Sequence, residues 1–489
     1  MLKKDRNMIN AQSVVILFIL TGMLFSQPDT LWTKTYGGGL WDYGWDVYEL
    51  SNKDLLIIGS TASFGAGYYD LYLIRTDSLG DTIWTKTYGT SDNEFLWSSC
   101  KGYIGEYYIV GYKGLIGSGN ESVYLFKTNE NGDSLWARTY FLGEPSYGFY
   151  ICPTSDNNYL ICATLGTLGC GSEDACIIKV NGNGDTLWTW RFIRAGSQIP
   201  NAACNTFDGN YLIDAGDEYA DICLIKMTPT GDTLWSRRYG GTPPRQCAYI
   251  TQTLDSNYII VGYRGEYGSG EEDVYLLKVD ENGDSIWTRI YGGDTSDYGA
   301  HIYAMPDTNY LVVGWTRSYG ATPGDVYFFK TTNDGGILWT LRYGGNELDC
   351  GRRISPIMDG GYLIIGYTES YGAGLADVYL IRLGQEPGIS ENQRSIKIIA
   401  PNLINYPNPA ASNCVIHFQT EFPGLVSLEI YDASGRLVRR LMNERKDIGK
   451  YTAVWDGTDE HGKECSAGIY FVELESNGSC DVAKVILVR

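Results

Sequence analysis

The stretch Gly80-Asp-Thr-Ile-Trp84-Thr-Lys-Thr-Tyr88-Gly89 recurs, with small changes, through most of this 489-residue chain. One tryptophan marks each copy, and successive marker tryptophans stand 52 residues apart except for one step of 47. The marker residues are Trp32, Trp84, Trp136, Trp188, Trp235, Trp287 and Trp339. A period near fifty residues predicts a repeat architecture in which each copy is one small structural unit.

Each unit contains four short runs rich in β-branched and aromatic residues and bounded by Gly, Asp and Asn. In the last unit these runs are 339–343, 353–357, 362–368 and 377–382. Runs of this kind are strand signals, and no stretch of the repeat shows the sustained apolar period of a helix. Four strands per unit predict a β-propeller blade. The seven copies therefore predict an all-β, seven-bladed β-propeller over residues 28–384.

The phase of the repeat predicts how the ring closes. It begins on a tryptophan strand and ends on a fourth strand. Short hairpin turns join each fourth strand to the next tryptophan strand, so the two pair within one blade and the tryptophan strand is its edge. The last blade then lacks an edge strand, which the first strand of the chain can supply. We predict that Thr30–Tyr36 pairs with 377–382 and closes the ring.

The composition is acidic, with 38 Lys and Arg against 58 Asp and Glu and a formal net charge of −20. A general nucleic-acid binder needs clustered basic residues, so we expect no nucleic-acid partner. Only 3 histidines are present and no Cys-x-x-Cys pair occurs, so we expect no metal site of the zinc type.

One turn has part of a calcium-binding pattern. Asp280-Glu-Asn282-Gly-Asp284 places oxygen ligands as a calcium loop does, but the glycine and the acidic residue that complete such a loop are absent. We interpret the turn as a capped hairpin. We expect no cofactor, and calcium remains the open alternative.

The 12 cysteines invite a disulfide framework. Cys100, Cys152 and Cys204 occupy equivalent positions in successive units, which is typical of small buried side chains rather than of disulfide partners. Two pairings stay open at this point, namely Cys162–Cys176 and Cys465–Cys480.

Residues 1–26 have the pattern of a secretory signal peptide. Lys3, Lys4 and Arg6 precede an apolar run at 14–25, and the small residue Ser26 follows it. The run is shorter than the roughly 20 residues that span a bilayer. We therefore favour a cleaved signal over a membrane anchor.

The recurring tryptophan has two interpretations, packing between blades or a row of platforms for sugar rings. Strict recurrence favours packing, because a binding site usually breaks the symmetry of a repeat. The candidate binding residues are instead aromatic residues outside the repeat pattern, which we expect in loops that cross between blades. They are Trp41, Tyr43, Trp45 and Trp97. We name no catalytic residue, because no nucleophile motif or paired-carboxylate motif stands out.

The chain changes character after the repeat. Residues 385–402 are polar and without periodicity, as in a linker. Residues 403–489 carry six alternating runs with short turns between them, which predicts a small immunoglobulin-like β-sandwich.

Residues 403–489 also resemble the C-terminal sorting domain of type IX secretion cargo. The resemblance rests on an opening Tyr-Pro-Asn-Pro, an internal Asp-Ala-Ser-Gly-Arg, a Trp-Asp-Gly, a Gly-Ile-Tyr-Phe and a terminal Lys…Arg segment. The sorting-motif residues are Tyr406, Pro407, Asn408, Pro409, Gly435, Arg436, Gly468, Lys484 and Arg489. The Trp-Asp-Gly and Gly-Ile-Tyr-Phe parts also occur in immunoglobulin-like domains of flagellar hook-capping proteins, so the opening and the ending carry the distinction.

The resemblance implies export to the periplasm and then through the outer membrane by the type IX secretion machinery, with release or attachment to surface lipopolysaccharide. We therefore expect a secreted or cell-surface propeller that acts as a non-catalytic binding module for glycan or protein. One alternative is a polysaccharide-degrading enzyme, a lyase or glycosidase, built from carboxylates in the crossing loops. Another is a structural or adhesive surface protein.

Overall fold

The computed structural model describes residues 27–386 and 404–487, apart from 103–104, 116, 167–172, 193–197, 217–220, 242, 266–268, 322, 407–413, 421–423, 433–435, 447–448 and 477–478. All regular structure in these ranges is β-strand, and none of the described residues is helical. None of the described segments is therefore a helix of the length and apolarity that crossing a membrane requires.

The described residues of the repeat region form 28 strands. In chain order they are β1 (Thr30–Tyr36), β2 (Asp42–Glu49), β3 (Leu55–Thr61), β4 (Asp70–Thr76), β5 (Thr82–Tyr88), β6 (Glu94–Lys101), β7 (Glu106–Lys113), β8 (Ser122–Asn129), β9 (Ser134–Tyr140), β10 (Ser146–Pro153), β11 (Tyr159–Leu165), β12 (Asp174–Val180), β13 (Thr186–Phe192), β14 (Ala203–Asn205), β15 (Tyr211–Asp214), β16 (Asp221–Met227), β17 (Thr233–Gly240), β18 (Arg245–Gln252), β19 (Tyr258–Arg264), β20 (Asp273–Val279), β21 (Ser285–Tyr291), β22 (Asp297–Ala304), β23 (Tyr310–Thr316), β24 (Asp325–Thr331), β25 (Ile337–Tyr343), β26 (Asp349–Pro356), β27 (Tyr362–Thr368) and β28 (Asp377–Leu383).

These strands form seven antiparallel four-stranded sheets. Sheets 1 to 6 are β2–β5, β6–β9, β10–β13, β14–β17, β18–β21 and β22–β25, each in chain order. Sheet 7 has the order β26-β27-β28-β1, so the first strand of the chain is its edge. Trp32 is paired with Arg382 and Tyr36 with Val378. The predicted pairing of these two segments is therefore confirmed.

Buried aliphatic and aromatic side chains fill the interface between each sheet and the next. Ile58 of sheet 1, for example, belongs to one apolar cluster with Ile109 of sheet 2. Ile57 of sheet 1 and Ile365 of sheet 7 share another, so the last sheet packs on the first in the same way. Four-stranded sheets packed on one another in chain order make this an all-β, propeller-like fold.

The recurring stretch builds a contact between neighbouring sheets, which we call the inter-sheet clasp. Alternate side chains of β5 point at the hairpin that joins β8 to β9 in sheet 2. Trp84 lies against Gly132, and the Tyr88 hydroxyl donates a hydrogen bond of 2.6 Å to the Gly132 carbonyl. The Lys86 ammonium lies 2.8 Å from the Asp133 carboxylate. The alternation of a strand places all three side chains on one face.

The clasp recurs around the repeat. The tyrosine-to-glycine hydrogen bonds join Tyr36 to Gly80, Tyr88 to Gly132, Tyr140 to Gly184, Tyr239 to Gly283 and Tyr291 to Gly335. In sheet 7 no hairpin joins β28 to β1, because the two strands are distant in sequence. Tyr343 of sheet 6 therefore contacts the start of β1 instead, and the Thr30 hydroxyl bonds to the Tyr343 hydroxyl at 3.0 Å. Sheet 3 has Phe192 in place of the tyrosine, and its Trp188 indole N–H donates to the Pro229 carbonyl at 3.1 Å. The geometry thus supports packing as the role of the recurring tryptophan.

The hairpin turns are capped by their own side chains. The Asp280 carboxylate accepts hydrogen bonds from the backbone N–H groups of Asn282, at 2.9 Å, and Asp284, at 2.8 Å. Gly283 supplies the positive φ of 83° that the turn requires. The Asp280 oxygen that would bind a calcium ion therefore already closes the turn, as the capped-hairpin interpretation expects.

The cysteines of the repeat behave as buried apolar residues. Cys162 and Cys176 are both free thiols, so the disulfide left open for this pair is not formed. The register explains why, since Cys176 stands opposite Ala163 and the two cysteines occupy consecutive rungs of the ladder. Cys465 is also a free thiol in the structure, and the side chain of Cys480 lies outside the described residues.

The described part of the C-terminal region adds seven strands in two sheets. They are β29 (Ile404–Tyr406), β30 (Cys414–Thr420), β31 (Gly424–Asp432), β32 (Leu437–Lys446), β33 (Gly449–Trp455), β34 (Gly468–Ser476) and β35 (Ser479–Leu487). One sheet has the order β29-β30-β33 and the other β32-β31-β34-β35. Trp455, fully buried, packs between the two sheets with Ile416 and Val472.

The clasp predicts an unequal cost for two glycine-to-alanine substitutions. Both Gly132 and Gly209 have positive φ, 72° and 80°. A Cβ on Gly132 would lie 2.4 Å from the Trp84 ring, whereas one on Gly209 would meet no atom within 4 Å. We expect Gly209→Ala to lower the free energy of unfolding by about 1–2 kcal/mol through backbone strain alone, and Gly132→Ala by about 2–4 kcal/mol.

Urea denaturation of the two variants measures this difference. Equal destabilisation would show that the tryptophan does not rest on the glycine.

Candidate binding site on the inner strands

The first strand of each sheet packs beside the first strands of the neighbouring sheets. These strands, β2, β6, β10, β14, β18, β22 and β26, contact one another from sheet to sheet, and β26 contacts β2. The tryptophan strands lie at the opposite edge of each sheet. Side chains on the first strands, which we call the inner strands, are therefore the ones that all seven sheets bring together.

Six inner strands carry a β-bulge at the same point. The extra residue lies between Gly44 and Asp46 in β2, and the other five strands repeat the irregularity. The bulged residues are Trp45, Trp97, Phe149, Ala248, Ala300 and Arg352. A bulge re-aims a side chain away from the regular alternation, and such irregularities are common at functional sites. Chain spacing makes Asn201 the equivalent residue in sheet 4.

The bulged residues of sheets 1 to 3 belong to a continuous row of rings, which we call the aromatic arc. The Trp45 ring lies 5.8 Å from Phe95, and Phe95 lies 5.2 Å from Trp97. Trp97 stacks on Phe149 at 4.7 Å with an interplanar angle of 20°. All four side chains are partly exposed. Sheets 5 and 6 have alanine at the bulge, so the arc is confined to sheets 1 to 3 and breaks the symmetry of the repeat.

The structure brings the four predicted binding residues together but not in loops. Trp41 stands just before β2 and forms an isolated bridge with Ala376. Tyr43 and Trp45 lie within β2, and Trp97 lies within β6. The expectation that they occupy loops between units is wrong for these three, because the strands begin earlier than the alternation suggests and the bulge interrupts it. Tyr43 links Trp41, at 6.2 Å, to Trp45, at 5.9 Å.

Sequence reasoning did not select Phe95, Phe149 or Arg352. Phe149 and Arg352 stand 52 residues after Trp97 and after Ala300, respectively. A comparison of the seven units at the position of Trp45 would have found Phe149 and Arg352, and one at the position of Tyr43 would have found Phe95. The signal for this site is the set of residues in which the units differ, not the residues that they share.

A polar cluster lies next to the arc at the residue after each bulge. Arg353 of sheet 7 forms an ion pair with Asp46 of sheet 1, which also accepts hydrogen bonds of 2.7 Å from the Ser99 N–H and hydroxyl. His301 lies 4.1 Å from the Tyr249 ring. Burial and the charge of Arg353 hold the His301 pKa well below its usual value, so its imidazole is neutral at pH 7.

The described residues at the bulge and the position after it include one carboxylate, Asp46. Its bond to Arg353 already satisfies it. The paired carboxylates that the glycosidase alternative needs are therefore not assembled among these residues. Across the described part of the chain, no three His, Cys, Asp or Glu side chains come together in a way that could hold a metal ion.

Sheet 4 carries a second departure from the repeat. Asp214 in β15 stands where Cys162 and Val261 stand in the neighbouring sheets, and it is 1% exposed. It faces a small recess lined in part by Asn201, Gln246 and other residues of sheets 4 and 5. Burial raises the pKa of Asp214 to about 8. Hydrogen bonds from backbone N–H groups oppose this rise, and one of them comes from the Cys223 N–H at 3.3 Å.

Comparison with known proteins supports the fold and leaves the ligand open. No curated protein sequence matches the chain significantly. Residues 419–479 match the FlgD Ig-like domain. The C-terminal region therefore contains an FlgD Ig-like domain, and the match includes Gly435, Arg436 and Gly468 but neither the Tyr-Pro-Asn-Pro opening nor the terminal lysine and arginine.

Similar solved structures include a fungal alcohol oxidase of the AA5 family in complex with copper. It is 12% identical, with a TM-score of 0.50 over 94% of this chain and 100% of that chain. Regucalcin, a calcium-binding protein from Agrobacterium tumefaciens, is 12% identical with a TM-score of 0.36 over 63% and 91%. Puromycin hydrolase is 12% identical with a TM-score of 0.44 over 78% and 59%. At this identity the oxidase likeness concerns the fold alone, and the other two are too weak to support a comparison.

The sorting-motif residues are only partly within the described structure. Tyr406 ends β29, Gly468 begins β34 and Lys484 lies in β35 opposite Phe471. The exposed Arg436 donates from Nε to the Asp432 carboxylate at 3.0 Å. Pro407, Asn408, Pro409, Gly435 and Arg489 lie outside the described residues, as does the predicted signal peptide at 1–26.

The buried carboxyl group predicts a pH dependence of stability. Since the folded-state pKa of Asp214, about 8, lies above the ordinary value of 3.8, the folded protein holds this proton more tightly than the unfolded chain. Stability should therefore fall as pH rises from about 4 to about 8. We expect Asp214→Asn to flatten this fall in a series of thermal denaturation curves.

Asp208→Asn in the same sheet is the control. Burial opposes ionisation of Asp208, but hydrogen bonds from Lys226, Thr206 and Asn210 outweigh it and lower the pKa to about 2. Its loss should lower stability by a constant amount above about pH 4 and change the pH slope only on the acid side, where the wild-type contribution disappears as pH falls from about 4 towards about 2. If Asp214→Asn showed the same fall in stability between about pH 4 and about pH 8 as wild type, the assignment would be contradicted.

Proposed function

We propose that this protein is a non-catalytic glycan-binding protein that engages its ligand through the aromatic arc. The observation that carries the proposal is the asymmetry of the bulged residues, which are aromatic on sheets 1 to 3 and alanine on sheets 5 and 6. The repeat scaffold does not need these rings, because the other sheets form without them. Partly exposed aromatic rings next to a polar cluster suit sugars, which present an apolar ring face and a hydroxyl edge.

The scaffold that we infer beneath this site is a closed ring of seven blades. Seven four-stranded sheets, the pairing of β1 with β28 and the apolar cluster shared by Ile57 and Ile365 support it. In a closed ring the inner strands converge on one axis, and a ligand can contact several blades at once. The domain limits in this proposal are 28–384 for the propeller, 385–402 for the linker and 403–489 for the C-terminal domain.

We propose further that the chain is exported and then acts outside the cell or on its surface. The signal-like residues 1–26 and the sorting-like residues 403–489 support passage through the type IX secretion machinery. The protein would then be released or attached to surface lipopolysaccharide. An exported glycan binder needs no tightly bound cofactor, and a net charge of −20 favours solubility over nucleic-acid contact.

The glycan-binding proposal is tested with purified protein on a panel of soluble and insoluble polysaccharides. We expect retention on at least one glycan without release of reducing or unsaturated sugar. Trp45→Ala and Trp97→Ala should each weaken binding about 10-fold or more, because each removes an aromatic contact surface. Affinity electrophoresis measures retention, and a reducing-sugar assay with absorbance of unsaturated products measures release.

Trp190→Ala is the matched control for these two variants. Trp190 lies on the outer strand β13, where its ring stacks on Phe192 at 5.6 Å, and its loss should leave glycan binding unchanged. Sugar release would favour the lyase or glycosidase alternative. Retention on no glycan would end the proposal and favour a protein ligand or a structural, adhesive role.

The export proposal is tested by fusing residues 403–489 behind a signal peptide and a fluorescent protein in a bacterium with a type IX system. We expect the fusion to reach the medium or the outer surface. A matched fusion that ends before Lys484 should stay in the periplasm, because it lacks the final segment on which the sorting resemblance depends. Equal export of both fusions would argue that these residues form an ordinary immunoglobulin-like domain.

A further inference from the structure

Arg352 is the one charged side chain among the six bulged residues. The other five are two tryptophans, a phenylalanine and two alanines, so no requirement of the scaffold calls for a cation at this point. Arg352 belongs to sheet 7 and meets the aromatic arc where sheet 7 packs on sheet 1. Its guanidinium carbon lies 5.2 Å from the Trp45 ring centre and 5.6 Å from the Tyr367 ring centre.

The positive charge of Arg352 has no carboxylate partner among the described residues. No ion pair or hydrogen bond to its guanidinium is present there, and its buried Nε has no hydrogen-bond partner. The acidic residue nearest in sequence is Asp349, and the adjacent Arg353 has the acidic partner Asp46; both accept contacts from other groups, Asp349 through one of its two oxygens. Asp46 is paired with Arg353, and the Asp349 carboxylate accepts hydrogen bonds from the Gly345 N–H at 2.8 Å and the Ser370 hydroxyl at 2.7 Å.

An arginine held between aromatic rings is a suitable anion receptor. Stacking satisfies the faces of the guanidinium and leaves the N–H groups at its edge for a ligand. The partly buried surroundings strengthen a charge-assisted hydrogen bond relative to one in open water. Two-oxygen groups such as a carboxylate or a sulfate match the fork of the guanidinium.

We propose that the glycan bound by the aromatic arc is acidic, and that Arg352 binds its carboxylate or sulfate group while Trp45 and its neighbours contact the sugar rings. This inference rests on the proposed glycan-binding function and specifies its ligand. The overall charge of −20 does not oppose it at short range, because charges farther away than about 8 Å are largely screened at physiological ionic strength.

The test compares ligands that differ only in their anionic group. Polygalacturonate is paired with its methyl ester, and dextran sulfate with dextran, in titrations of wild type, Arg352→Gln and Arg352→Lys. We expect wild type to bind the acidic member of at least one pair about 10-fold or more tightly than the neutral member. Arg352→Gln should abolish that preference, and Arg352→Lys should retain part of it. The pair that responds distinguishes carboxylate from sulfate.

Arg289→Gln is the matched control, because it makes the same change in net charge. Arg289 lies on the outer strand β21, where its guanidinium covers the Trp287 ring at 5.5 Å. We expect it to keep the preference of wild type. Thermal denaturation checks that each variant folds. If Arg352→Gln does not fold, wild type is compared on the acid and its ester at low and high salt. A preference for the acid that disappears at high salt is the result we expect, and equal binding of the two would overturn the proposal.

The outcomes separate this inference from the function on which it rests. Equal binding of acidic and neutral glycans by wild type, or an intact preference in folded Arg352→Gln, would overturn the role of Arg352 and leave glycan binding standing. Failure of wild type to bind any glycan would overturn both.

Discussion

The contact between a hairpin glycine and the tryptophan and tyrosine of the preceding sheet is the interaction on which this structure depends. At Gly132 the backbone has a positive φ and Trp84 lies so close that no side chain fits between them. The Tyr88 hydroxyl satisfies the glycine carbonyl at 2.6 Å. A net gain of roughly 0.5–1.5 kcal/mol for each such hydrogen bond is modest. Repeated from sheet to sheet, together with the buried ring beside it, the contact sets the spacing of the sheets.

Because the clasp is formed by the outer strand and the hairpin, the bulged residues of the inner strands can differ from sheet to sheet. The outer strand and the hairpin form the clasp, and the middle strands supply most of the aliphatic core between neighbouring sheets. The bulged residue of an inner strand serves neither purpose, so Trp45 and Ala300 are equally compatible with the fold. A binding surface can therefore form on some of the sheets at little cost in stability. For this reason we expect a function at the residues that depart from the repeat.

The residues of the polar cluster beside the arc also differ from sheet to sheet, but a buried charge among them requires a partner of opposite charge. Arg353 and Asp46 come from opposite ends of the repeat region and form an ion pair with little exposure of the carboxylate. Removing one partner of such a pair would leave a buried charge uncompensated. The pair also joins sheet 7 to sheet 1, which the hydrogen bond from the Tyr36 hydroxyl to the Gly80 carbonyl joins as well. Arg352, one residue earlier, has no such partner among the residues that the structure describes.

The sequence by itself determined the repeat period, the strand content, the role of the recurring tryptophan and the pairing of the first strand with the last. These follow from local signals, namely alternation, turn residues and phase, which need no knowledge of distant neighbours. The tertiary structure alone decided where the candidate site lies. A bulge is invisible in the alternation of a single strand, so Trp45 and Trp97 read as loop residues, and Arg352 meets Trp45 only because the packing of sheet 7 on sheet 1 brings together positions that are 307 residues apart.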